Sequence, residues 1–129
     1  MVIPLVLASH EAHGHVTRVV GTRHVRISAH ACLEAYSVLT RLPGDARLLP
    51  AHAAELLRER FGVPITIGDV RMSGLVDELA QLHIAGGAVY DALIAATAIG
   101  PEDTMVTRDM RAATTYQKLN VPVEIITIP

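Results

Sequence analysis

The chain has 129 residues, half of them apolar, with a net charge of −2 from 11 basic and 13 acidic side chains and a single cysteine. This length suits one domain, residues 1–129, with a substantial core. The charge balance excludes a nonspecific nucleic-acid coat, which needs a basic face, and lone Cys32 excludes an internal disulfide and suits a reducing cytoplasm.

No run of about 18 apolar residues predicts a membrane span, and no basic flank marks a signal peptide. One Phe, three Tyr and no Trp leave Ala, Val, Leu and Ile to build the core. Met1 to Leu7, MVIPLVL, is apolar, and Pro4 suits the first turn of a helix better than the centre of a strand. The segment predicts a helix running to about Val20. His10, His13 and His15 lie within it. Gly14 weakens the helix and no Cys cluster accompanies them, so they read as a polar face rather than a zinc site.

Gly21 and Thr22 end this helix. His24 to Ser28, HVRIS, alternates and predicts a strand. Ser28 to Leu42 predicts a helix with Ser28 as a candidate N-cap, and Pro43-Gly44-Asp45 predicts a turn. Pro50 opens the helix PAHAAELLRERF, which Gly62 closes. Val63 to Ile67, VPITI, predicts a short edge strand, because Pro64 does not suit a central one. Asp69 opens a helix to about Ile84, with Val70, Leu75, Val76, Leu79 and Leu82 at helical spacing. Gly86 to Gly100, GGAVYDALIAATAIG, predicts a helix apolar or small nearly all round, which belongs in a core. Thr104 to Thr107 predicts a strand, Asp109 opens the helix DMRAATTYQKL, and Val123 to Ile128 predicts the last strand. Helices alternating with short β-branched strands predict an α/β fold: a parallel sheet covered on both faces.

Three acids stand out in this frame. Asp91 is the single charge between Gly86 and Gly100, near a helix start where the macrodipole favours an anion. Glu34 is the single formal charge between Ile27 and Thr40, which predicts a buried carboxylate in need of a partner. Asp109 lies just past the strand TMVT, at the carboxyl rim where such sheets place their sites. Each acid alone has a structural explanation: helix cap, first-turn anion, buried ion pair. Together they predict convergence on one pocket, because adjacent carboxylates repel unless a cation lies between them. Oxygen-only ligands point to Mg²⁺ or Mn²⁺ rather than zinc, ions that activate water for attack on phosphorus.

LEAYSVLTRLP from Leu33 to Pro43, YDALIAATA from Tyr90 to Ala98 and TRDMRAATTY from Thr107 to Tyr116 resemble, in order and separation, the motifs of PIN-domain proteins of the VapC toxin type. The resemblance covers essentially the whole chain. It implies a PIN-like α/β/α sandwich and a Mg²⁺- or Mn²⁺-dependent endoribonuclease acting on RNA in the cytoplasm. It also implies a cognate VapB-type antitoxin that blocks the site, and a homodimer. Carried over, Glu34, Asp91 and Asp109 are catalytic metal-site carboxylates and Thr107 is an accessory polar residue. The family places a further Asp at the end of a first, central strand, and this chain has none there. IPLVLASH resembles the stretch that family members carry just after that strand, so the central strand is expected to be missing or a remnant and metal binding to be weakened. Glu11 lies beyond the expected position and does not replace the absent acid.

The alternative reading is a catalytically weak PIN fold that mainly binds an antitoxin. An apolar groove formed partly by helices from Pro50 to Ile84 is expected to receive that partner, with Arg58, Arg60 or Arg71 meeting RNA or an acidic antitoxin segment. A small-molecule α/β domain is disfavoured, because no Gly-rich phosphate loop comes after a strand.

Overall fold

Single residues begin and end several helices. The Ser28 hydroxyl accepts a hydrogen bond from the Ala31 amide at 3.1 Å, satisfying one of the donors that a helix start leaves open. It opens α3, Ala29–Leu39. Pro50 occupies the first turn of α4, Pro50–Phe61, where its missing N–H costs nothing. Gly62 closes α4 at a left-handed φ of 69°, which glycine reaches without a Cβ penalty.

The computed structural model of the chain describes residues 1–98 and 100–128. The part of the Gly86–Gly100 reading that falls on Ile99 lies outside the described residues. Contacts divide the chain into two compact units: residues 1–65 with Ile128, and residues 66–127.

The first unit is helical. The single helix expected from Pro4 to Val20 is instead two, α1 (Val2–Val6) and α2 (His13–Val20). Tight backbone turns join them, Leu7 N–H to Ile3 at 2.9 Å and His10 N–H to Leu7 at 3.0 Å. Two of the histidines hold this corner. His10 Nδ1 accepts from the Ala12 amide at 3.0 Å, and His13 Nδ1 lies 2.8 Å from the Pro4 carbonyl, to which a ring N–H must donate. They stitch a turn rather than line a metal site or a plain polar face. Helix α1 packs on α2, α3 and α4, and α3 packs on α4. Val16, Leu39 and Ala53 are wholly buried there.

The strand expected at HVRIS is reduced to one parallel bridge, Ser28 with Ile65. Ala29 N–H donates to Ile65 and Ile65 N–H to Ile27, each at 2.8 Å. The pairing stops there for two local reasons. Ser28 already caps a helix, and Pro64 has no N–H to extend a ladder. The strand expected at VPITI is limited to the same bridge.

The second unit opens with α5, Asp69–Gln81, shorter than the helix expected to reach Ile84. His83 adopts a left-handed φ of 54° and the Ile84 amide returns to the Leu79 carbonyl at 2.9 Å. This turn buries Ile84 against Leu75, Leu79 and Ala92. Next come α6 (Ala88–Ala95), β1 (Met105–Thr107), α7 (Met110–Lys118) and β2 (Val123–Ile125). The two strands pair in parallel, Met105 with Val123 and Thr107 with Ile125. The Ile126 amide adds a bond to the Thr107 carbonyl at 2.8 Å. Helix α7 is the crossover that parallel strands require. It packs on α6 through Ala112 and Tyr116 against Ala95. Among the described residues no strand precedes Ser28, and no helix is long and apolar enough to cross a membrane.

Leu39→Ala should lower unfolding free energy by about 2–5 kcal/mol in denaturant titration, the cost of a cavity at a fully buried site. Gly62→Ala should cost about 1–3 kcal/mol through backbone strain alone. Nothing lies within 4 Å of the added Cβ, so steric clash has no part in it.

Candidate active site

Asp109 has the most defined setting of the three acids. It stands two residues past β1 and caps α7: its Oδ1 accepts from the Arg111 amide at 2.9 Å. That backbone bond is the main cause holding its carboxyl below the usual carboxylate range; desolvation opposes it, and the Arg111 charge adds a lesser lowering. The Arg111 guanidinium is itself 94% exposed and lies 3.5 Å away, so water screens its share heavily. Buried Thr107 completes the corner, its Oγ1 accepting from the Asp109 amide at 3.0 Å. Asp109 therefore leaves β1 in a fixed direction, ionised, at the carboxyl rim of the sheet.

Asp91 is half-buried in the first turn of α6, the position expected for a dipole-stabilised anion. The helix around it is not enclosed on every side, as its composition predicts. Ala92 and Ala95 are wholly buried, whereas Tyr90 is 57% exposed. Of its eight residues, Ala92 and Ala95 turn inward, Tyr90 is exposed and the other five are half-buried. Because α6 packs on α7, Asp91 and Asp109 belong to one packed helix pair.

Glu34 departs from its expected environment. It is in the first unit, on α3, with its side chain 59% exposed and Oε1 2.9 Å from His30 Nε2 one turn earlier. The apolar neighbours in sequence do not bury it, because only one stripe of α3, including Ala35 and Leu39, faces the core. Adjacent Leu33 is itself 70% exposed. The expected buried carboxylate is thus a surface one, and its partner is a histidine that sequence inspection passed over. The signal was present: His30 and Glu34 are four apart, which places them side by side on a helix. Burial pushes the Cys32 thiol up, so it stays protonated and is a poor nucleophile.

Within each unit, no three His, Cys, Asp or Glu side chains of the described residues gather closely enough to hold an ion by themselves. Asp91 and Asp109, which share the second unit, offer oxygen donors only, a chemistry that suits Mg²⁺ or Mn²⁺ better than zinc. A cap leaves acceptor capacity, since a carboxylate has about four lone-pair sites. Of the basic residues expected to meet a partner, Arg71 is engaged within its own unit. It donates to the Ala96 carbonyl at 3.0 Å and pairs with Glu78 at 3.3 Å. Arg60 stacks 5.5 Å from the Phe61 ring centre.

A group whose folded pKa is lowered stabilises above its ordinary pKa and loses that contribution as pH falls through the folded value. Melting temperature should therefore fall more steeply below pH 3.8 in the wild type than in Asp109→Asn, which keeps the cap without the charge. Equal acid slopes would remove Asp109 from that balance. Asp109→Ala should cost about 1 kcal/mol near neutrality through the lost cap.

Comparison with known proteins agrees with these motifs. The model of the PIN domain family matches residues 2–118. The chain is 46% identical over 123 residues to ribonuclease VapC27 of Mycobacterium tuberculosis, covering 95% of this chain and 90% of that protein. It is 39% identical over 122 residues to ribonuclease VapC40 of the same species, covering 92% of this chain and 88% of the relative. No solved structure matches significantly. Helices, a short parallel sheet and an acid at its carboxyl rim are those of a PIN-like α/β/α fold. The chain belongs to the PIN domain family, among its VapC-type members.

Proposed function

We propose that this chain is an endoribonuclease, the toxin of a type II toxin–antitoxin pair, that hydrolyses RNA phosphodiesters with Mg²⁺ or Mn²⁺ in the cytoplasm. The observation that carries this reading is Asp109: ionised, fixed at the carboxyl end of β1, on a helix packed against the one that bears Asp91. Parallel α/β sheets place their sites at that rim. RNA as substrate is supported by the names of the relatives, both ribonucleases.

In this reading Glu34, Asp91 and Asp109 hold the ion. The Arg111 amide keeps Asp109 anionic, and the helix start supports Asp91. The Thr107 hydroxyl is accessory: it holds the Asp109 backbone and so the direction of its carboxylate. When bound, such an ion neutralises the phosphate and lowers the pKa of its water, supplying a nucleophile for phosphorus near neutral pH. The protein partners are a VapB-type antitoxin and a second copy of the chain. Tyr90 and Met110, adjacent in sequence to Asp91 and Asp109 in the second unit, are large and exposed. Sequence neighbours on a helix point apart, so these two residues suit a surface that an antitoxin segment covers rather than the metal pocket itself.

The test is incubation of purified chain with total cellular RNA and sequencing of the new ends. Cleavage should require Mg²⁺ or Mn²⁺, stop in chelator, and fall roughly 100-fold or more in Asp91→Asn, which keeps the shape and removes the charge. Undiminished cleavage by that variant, or activity with zinc alone, would defeat the reading. A chain that binds antitoxin but leaves RNA intact with either ion would favour the antitoxin-binding alternative.

A further inference from the structure

His30 and Glu34 form a pair that neither helix stability nor the family motifs explain. His30 is the second residue of α3 and Glu34 the sixth, with His30 Nε2 2.9 Å from Glu34 Oε1. A carboxylate can only accept, so Nε2 carries the proton and donates. The two side chains are unequally exposed, 25% for His30 and 59% for Glu34. The donor is anchored in the surface while the acceptor projects from it. As a helix-stabilising pair the arrangement is poor, because the order basic-then-acidic gains least from helix polarity. It suits a different task. A long Glu side chain has three rotatable bonds, and a donor on one oxygen restricts them while leaving the other oxygen its capacity to accept. Ligating carboxylates are commonly held by such outer hydrogen bonds.

We propose that His30 is a positioning residue for the metal-site carboxylate Glu34: its Nε2–H holds Oε1 so that Oε2 is presented to the divalent ion. This inference rests on the metal-site reading above and assigns His30 no contact with the ion or RNA.

The test is Mn²⁺ titration by calorimetry on the full chain and on Glu34→Gln, His30→Ala, His30→Leu and His30→Gln, each checked for folding by circular dichroism. Glu34→Gln should weaken Mn²⁺ binding most. His30→Ala should weaken it about 10-fold. His30→Leu, which keeps apolar bulk and lacks a donor, should match Ala and carries the comparison if the Ala variant unfolds. His30→Gln, which can donate from the same turn, should recover most of the affinity. In the Glu34→Gln background, His30→Ala should have little further effect, because the two act as one unit. Wild-type affinity in both His30→Ala and His30→Leu, with Glu34→Gln still impaired, would overturn the positioning role alone. Equal losses in Ala, Leu and Gln variants would overturn it too, pointing to His30 as a ligand. Affinity unchanged by Glu34→Gln would instead remove Glu34 from the metal site, and the proposal with it.

Discussion

The parallel pairing of Met105–Thr107 with Val123–Ile125 constrains most of the second unit. Two parallel strands cannot be joined by a tight turn, so the chain must travel back along the sheet before the second strand begins. That return is α7, and it fixes the rest. The chain leaves β1 at its carboxyl end, where Thr107 accepts from the Asp109 amide and Asp109 caps the new helix. The same crossover presents Ala112 and Tyr116 to Ala95 of α6. One topological requirement thus positions an anion, a helix and the neighbouring acidic helix.

Small side chains make that packing possible. Ala92, Ala95, Ala96, Ala112 and Ala113 are all buried, and short side chains let helix backbones approach closely. With few aromatics, the core gains its contacts through proximity rather than through large rings. The exception is Tyr116, buried among Ala95, Ala112 and partly buried aliphatic residues. Tyr90, also in a motif, stays in water. The two tyrosines show that an aromatic in this chain is core or surface according to which face of its helix it occupies.

The acids are held by different physics. Asp109 is stabilised by a backbone amide at a helix start, Asp91 stands in a first helical turn, and Glu34 shares a surface hydrogen bond with His30. Apolar or helix-start settings make the three look alike in sequence. The likeness holds for the first two, whose surroundings derive from helix ends. It fails for Glu34, since a mid-helix residue is buried only if its stripe faces a neighbour.

Features that depend on three or four consecutive residues were legible in the sequence. Ser28 as cap, Pro50 as first helical residue, Gly62 as terminator and Asp109 opening α7 are all settled by hydrogen bonds or backbone preferences within a turn. The strand TMVT and its parallel partner were legible for a related reason, since β-branched runs separated by a helix-length segment have few other ways to pair. Features that depend on distant partners were not. HVRIS has strand composition, yet Ile65 offers it a single bridge beside a proline. The helix from Pro4 to Val20 breaks at a corner where the His13 ring reaches the Pro4 carbonyl nine residues earlier. Burial of Glu34 rests on which stripe of α3 meets α1 and α4. Local chemistry determined the element boundaries at Ser28, Pro50, Gly62 and Asp109; only the tertiary structure decided how far strands pair and which faces helices bury, because pairing and burial belong to pairs of surfaces and a single stretch of sequence specifies one of them.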